Sequence, residues 1–235
     1  MGIFTRLLEK LYRVAAKYRS ASIVVAAAAL AALCLGISGP ALADNECGAL
    51  DASGSVTCTS AANPYANGII YGATGGLPLN VTLNSNVNVV LTGAGIGVAL
   101  NNFTSVGSPV LLSANGATIN ATQTLADQGN RGLYVETVSA DATITALGQI
   151  DVLGNQGDHA IKAFVNTTGN ASVTYNGPGL SSTGANSTDI QAQSANGNAS
   201  INASGNMSGH VLTGPTSDNT FVGLFANAGG TATHL

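Results

Sequence analysis

Ala117-Thr118-Ile119-Asn120 returns as Ala142-Thr143-Ile144-Thr145, Ala171-Ser172-Val173-Thr174 and Ala199-Ser200-Ile201-Asn202, and imperfectly as Ala232-Thr233-His234-Leu235, at intervals of 25, 29, 28 and 33 residues. Within each copy a small residue, a hydroxyl or amide, and a β-branched apolar residue alternate with the period of two that sends successive side chains to opposite faces of a strand. A second element comes late in each interval: Gly132-Leu133-Tyr134-Val135, Ala160-Ile161-Lys162-Ala163, Asp189-Ile190-Gln191-Ala192 and Phe221-Val222-Gly223-Leu224. A unit of this size, with two or three short strands and Gly/Asn corners, describes one coil of a right-handed parallel β-solenoid. One coil cannot bury its own apolar side, so its inward residues must stack on the coils above and below. The repeat therefore predicts that Ile119, Ile144, Val173 and Ile201 form a single inward-facing ladder. An antiparallel β-sandwich is the competing all-β fold, but it does not require the in-register return of one element.

Upstream the same texture continues without helical periodicity. Gly68-Ile69-Ile70-Tyr71, Leu79-Asn80-Val81-Thr82-Leu83, Asn86-Val87-Asn88-Val89-Val90-Leu91 and Ile96-Gly97-Val98-Ala99-Leu100 are short apolar clusters bounded by turn residues. With coils spaced by the inter-strand distance of about 4.8 Å, roughly six or seven of them make a stubby rod about 30 Å long. Its N-terminal edge needs a cap to block open-ended pairing.

Cys47 and Cys58 stand eleven positions apart where that cap would lie. No His is near them and the spacing is not Cys-x-x-Cys, so a disulfide closing a small hairpin is favoured over a metal site or a redox pair. Residues 44–68 are assigned to the cap and 69–235 to the solenoid. No cap is visible at the other end, where the chain starts another Ala-Thr element and stops at Leu235, as an interrupted array would.

The first 43 residues are of another kind. Arg6, Lys10, Arg13, Lys17 and Arg19 are five of the seven basic residues, and they precede an uncharged run from Ala21 to Ser38, Gly39-Pro40 and Ala41-Leu42-Ala43. This order matches a helical, cleavable secretory signal, with the cut between Ala43 and Asp44. A transmembrane helix is the alternative, since about 18 apolar residues is the lower edge of a spanning length, but the Gly-Pro and small residues favour cleavage. Cys34 follows the bulky Leu33 and belongs to the discarded segment rather than to a lipidation site. Export of this kind implies the Sec translocon and signal peptidase as partners, and an exported or periplasmic location in which a disulfide persists.

Beyond residue 43 two basic residues, Arg131 and Lys162, face ten acidic ones. Such a chain has no positive field for nucleic acid or an anionic membrane surface. The acids are mostly singletons near expected turns, where Asp bonds local backbone. Asp158-His159 could be read as an acid/base pair, but neighbours in a strand face opposite ways. Gly157-Asp158 falls short of a calcium-binding repeat, and Gly93-Ala94-Gly95-Ile96-Gly97 resembles a phosphate loop only in glycine content. The Asn-x-Ser/Thr sites at Asn80, Asn102, Asn120, Asn166, Asn170, Asn198 and Asn202 would suggest glycosylation in a eukaryotic secreted protein, but in so Asn/Ser/Thr-rich a chain most read as chance and as polar ladders between coils. The sequence thus offers no catalytic residue, cofactor-binding residue or metal site, and the expectation is a non-enzymatic surface protein; a carbohydrate-active solenoid is the competing class.

Cys47-Gly48, Val56-Thr57-Cys58-Thr59, Asn63-Pro64-Tyr65-Ala66-Asn67-Gly68-Ile69, Leu79-Asn80-Val81-Thr82-Leu83 and Asn88-Val89, behind a long basic signal, resemble the start of the passenger in alphaproteobacterial autotransporters. The resemblance extends over essentially the whole chain, although only the Cys-to-Asn-Pro-Tyr portion is specific. It implies a passenger threaded across the outer membrane by a C-terminal translocator barrel and displayed for adhesion to glycans, matrix or host surfaces. The chain departs from the family in lacking the dozen or so amphipathic strands of that barrel, which points to a passenger fragment whose barrel is encoded downstream, or to a nonfunctional remnant of a split gene.

Overall fold

A computed structural model describes residues 46–73, 76–91, 95–103, 107–122, 130–156, 158–185, 187–208 and 222–234. The signal segment 1–43 and its cut between Ala43 and Asp44 lie outside the described residues. Successive turns of the chain carry β1 (Ser55–Cys58) and β2 (Ile69–Gly72); β3 (Leu79–Leu83), β4 (Asn88–Leu91) and β5 (Ile96–Asn102); β6 (Val110–Ala114), β7 (Thr118–Thr122) and β8 (Arg131–Thr137); β9 (Ala142–Ala146), β10 (Ile150–Gln156) and β11 (His159–Val165). They continue with β12 (Ala171–Ala185) and β13 (Thr188–Ser194), then β14 (Ala199–Met207) and β15 (Val222–Ala228), and β16 (Ala232–His234) opens the next. Every strand pairing is parallel. The fold is a parallel β-solenoid with three faces, as the alternation and the repeat predict.

The first face stacks β1, β3, β6, β9, the N-terminal half of β12, β14 and β16; the second stacks β4, β7, β10 and the C-terminal half of β12. The long β12 bends across the edge and joins these two faces into one sheet. The third face is a separate sheet of β2, β5, β8, β11, β13 and β15. On the first face Leu79 pairs with Val110, Val110 with Ala142, Ala142 with Ala171, Ala171 with Ala199 and Ala199 with Ala232, so successive turns differ in length by a few residues taken up at the corners.

Inward columns run along the rod. Val81, Leu112, Ile144, Val173 and Ile201 occupy consecutive rungs of the first face, and all are buried. At about 25 cal/mol per Å² of apolar surface removed from water, such columns supply the main cohesion between turns. Ile119 is fully buried too, but it belongs elsewhere: it stacks with Val89 below and Ile150 above, on the second face. The expected four-membered ladder is corrected to Ile144, Val173 and Ile201, preceded by Leu112. Inward strand positions on both faces accept the same apolar residues, so the string Ala-Thr-Ile-Asn does not encode which face it occupies. The last copy of the second element is also offset, because Ile190 pairs with Leu224 rather than with Val222.

The cap contains the Cys47–Cys58 disulfide. Its lead-in grips the first turn: the Tyr71 hydroxyl accepts from the Cys47 N–H at 3.0 Å and donates to the Gly48 carbonyl at 2.8 Å, and the Ile70 N–H donates to Glu46 at 3.1 Å. The strand that carries Cys58 is itself the first rung, pairing with β3, so the cap is continuous with the stack. The one helical segment among the described residues is a single 3-10 turn, Ser60–Ala62, and none of their helices is long and apolar enough to cross a membrane. Replacing both cysteines by serine is expected to lower stability by about 2–3 kcal/mol through the lost closure of a short loop. Urea unfolding would check this; an unchanged midpoint would mean that the hairpin is held by its other contacts alone.

Side-chain ladders seal one corner. Asp141 accepts from the Asn170 N–H at 2.7 Å, Asn170 from the Asn198 N–H at 3.0 Å and Asn198 from the Thr231 N–H at 2.9 Å. Each side-chain oxygen thus satisfies a backbone donor of the following turn, the role expected of Asn170 and Asn198. Glycines allow close approach at two other places: a Cβ on Gly148, between β9 and β10, would overlap the Ala117 carbonyl, and one on Gly132, within β8, would press on the Ala160 carbonyl and the side chains of Ile150 and Val152.

Candidate functional site

Alternation that sends Leu133, Val135, Ile161 and Ala163 into the core of the third face sends the residues between them outward. Pairing then sets Ala99, Tyr134, Lys162, Gln191 and Phe225 in one outer column, and Asn101, Glu136, Phe164, Gln193 and Asn227 in the next. The outer positions of the first face are mostly small: Asn80, Thr82, Ser113, Thr143, Thr145, Ser172 and Thr174. Aromatic rings, amides and charges therefore concentrate on the third face, at the turn-to-turn spacing of about 4.8 Å.

The column is tightly interlocked. The Arg131 guanidinium lies 4.2 Å from the centre of the Tyr134 ring, and Lys162 Nζ lies 5.3 Å from the Phe164 ring, both within cation–π range. The Tyr134 hydroxyl donates to Glu136 at 2.5 Å, while Asn166 Nδ2 donates to the other Glu136 oxygen at 2.8 Å. Tyr134 is thereby buried under its neighbours, whereas Phe225 is exposed. Gln191 Nε2 donates to Gln193 at 3.3 Å, but Gln191 Oε1 is buried without a hydrogen-bond partner.

Electrostatics follow from that packing. Burial, with Arg131 adding to it and Glu136 opposing, pushes Lys162 down to about 8. Burial, then Lys162 and Arg131, push His159 down to about 3, leaving a neutral imidazole whose Nδ1 is buried and unpartnered. Burial and the hydrogen bond to Glu136 push the Tyr134 hydroxyl up.

Two carboxylates lie behind this face. Asp158, expected in a turn with its side chain on local backbone, is fully buried; one oxygen accepts from the Asn130 N–H of the preceding turn at 2.6 Å and the other has no partner. Asp189 is also buried and accepts from the Ser182 N–H at 2.9 Å and hydroxyl at 3.0 Å. Ser182 pairs with Val152, so a polar pair fills space that apolar side chains fill one turn earlier. Burial raises both acids to about 6. Enclosure separates them from any polymer lying on the outside.

Among the described residues no group of three His, Cys, Asp or Glu side chains is placed to hold a metal ion. Cys47 and Cys58 are joined at the cap, and Ile119, Ile144, Val173 and Ile201 are core. None of them belongs to the outer face. Its signal was in the second repeated element, where Tyr134, Lys162 and Gln191 occupy the same third position of successive copies. No protein-family model matches the chain, and neither a curated protein nor a solved structure is found to be similar to it.

Proposed function

We propose that this chain is an exported, non-catalytic β-solenoid that binds glycans through its third face, of the kind displayed as an autotransporter passenger. The observation that carries the reading is the pair of in-register outer columns in which Tyr134, Phe164 and Phe225 alternate with Lys162, Glu136, Gln191 and Gln193. The Phe164 and Phe225 rings offer flat apolar surface for the faces of sugars, while amides and charges between them meet hydroxyl groups. A solenoid repeats such contacts along its axis, which suits an extended polymer better than a small metabolite. The signal-like first 43 residues and the disulfide fit an oxidising compartment. Export would engage the Sec translocon and signal peptidase, and a translocator barrel encoded downstream would place the solenoid on the cell surface facing glycan, matrix or host. A lyase or hydrolase reading has less support, because the acids with raised pKa are enclosed.

Screening the purified chain against immobilised oligosaccharides tests this. Binding is expected, and Phe164→Ala with Phe225→Ala should weaken it about tenfold, the loss of roughly 1.4 kcal/mol typical of interface anchors. Retention of no glycan, or binding indifferent to both substitutions, would remove the third face as the site.

A further inference from the structure

The chemistry of the glycan is narrowed by the placement of charge. Arg131 and Lys162, the two basic residues that follow the signal-like segment, sit on neighbouring strands of the third face, and Lys162 pairs across to the very tyrosine that the Arg131 guanidinium covers. Both make cation–π contacts, and neither forms an ion pair among the described residues. Burial lowers the Lys162 pKa first, Arg131 adds to it as a like charge on the same patch, and Glu136 opposes both. The column has no architectural need for a cation at Lys162, since Gln191 fills the equivalent place one turn on. Beside Lys162, the Gln191 side chain is nine-tenths buried, its exposure being 9%. Its Oε1 is buried without a hydrogen-bond partner, and Glu136 is the one acid that acts on Lys162 across the patch.

We infer that this patch recognises a uronate-bearing polysaccharide: the sugar carboxylate meets Lys162 and Arg131, and the apolar sugar face lies along Phe164. Carboxylate suits the fork of the guanidinium. One carboxylate per sugar also matches a patch of two cations beside Glu136. A densely sulfated chain needs a longer basic track and would meet the acidic remainder of the protein. The inference rests on the glycan-binding reading and adds the charge of the ligand to it.

Titration of the purified chain with oligogalacturonate, dextran sulfate and a neutral glucan oligomer decides the point. Oligogalacturonate is expected to bind best, more weakly as salt rises. Lys162→Gln should weaken it about tenfold and Lys162→Arg should largely preserve it. Circular dichroism is expected to stay unchanged in both variants. Equal binding of the neutral oligomer, unaffected by Lys162→Gln, would overturn the inference while leaving the glycan reading intact. Preference for dextran sulfate would overturn the carboxylate assignment. Absence of binding to all three, together with an empty oligosaccharide screen, would remove the glycan reading itself.

Discussion

Ile144→Asp is expected to unfold the chain, while Thr143→Asp one position earlier leaves it folded. Ile144 is fully buried between Leu112 and Val173 on adjacent rungs of the first face. Truncating such a side chain costs about 2–5 kcal/mol, and placing an unpaired carboxylate there adds several more. Total stabilities of domains are only about 5–15 kcal/mol. The position matters as much as the burial, because each turn touches only its neighbours and a broken central rung uncouples the two ends of the rod. Thr143 points outward from the same strand, where substitutions usually stay within about 0.5 kcal/mol. Far-UV circular dichroism and urea unfolding of both variants would check this. Equal damage from the two would mean that inward and outward faces are misassigned, since a slip of one residue exchanges them.

Stability is also expected to fall as pH rises through mildly acidic values, and a double substitution should reverse the trend. Asp158 and Asp189 are raised in the folded chain from 3.8 to about 6, by burial in both cases. Between those values the folded state holds two protons that the unfolded state has released. His159 acts oppositely: burial, Lys162 and Arg131 take it from 6.5 to about 3, so the unfolded state holds one proton that the folded state lacks. The folded chain therefore binds one more proton net, and stability declines across the window by at most about 1.4 kcal/mol per pH unit, less after solvent screening. Asp158→Asn with Asp189→Asn leaves His159 alone, and stability should then climb over the same interval.

Asp158→Asn alone should raise neutral-pH stability by about 1–2 kcal/mol, once screening is allowed for. It keeps an acceptor for Asn130 and replaces the unpartnered oxygen with a donor. Asn130 Nδ2 donates to the Leu153 carbonyl, and Leu153 pairs with Thr183 one turn on, so by register the Thr183 carbonyl is the acceptor expected for the new amide. Urea midpoints at about pH 4.5 and about pH 6.5 would report the slope. A double variant whose stability still falls with pH would contradict the burial assigned to these carboxylates.

What the sequence carried was the alternation and the return of a unit about thirty residues long, and these were enough for a stacked parallel fold with a disulfide hairpin at its start. Alternation is local and each turn must satisfy it independently, so Ile144, Val173 and Ile201 were found on one column. Ile119 was misplaced because the second face makes the same demand of its strands, and the variable corners hide the difference in spacing. Asp158 reads as a corner residue beside Gly157 and Asp189 as the first residue of a repeated strand element, and neither setting in sequence gives a sign that a neighbouring turn closes over the carboxylate. The outer face left a trace in Tyr134, Lys162 and Gln191, whose shared repeat position was visible but whose aromatic and charged neighbours, Glu136 and Phe164, become adjacent only through strand pairing.

The three-faced stack on which the proposed binding face depends is tested most directly by backbone amide and α-proton NOEs in isotopically labelled protein. In-register parallel neighbours lie about 4.8 Å apart, within reach of such contacts, whereas packed faces stand about 10 Å apart. The account predicts backbone contacts linking the strand around Ile144 to those of Leu112 and Val173, linking Ile119 to Val89 and Ile150, and linking Tyr134 to Lys162 and Lys162 to Gln191. Backbone contacts between the strands of Ile119 and Ile144, with none between those of Tyr134 and Lys162, would contradict it and dissolve the outer columns.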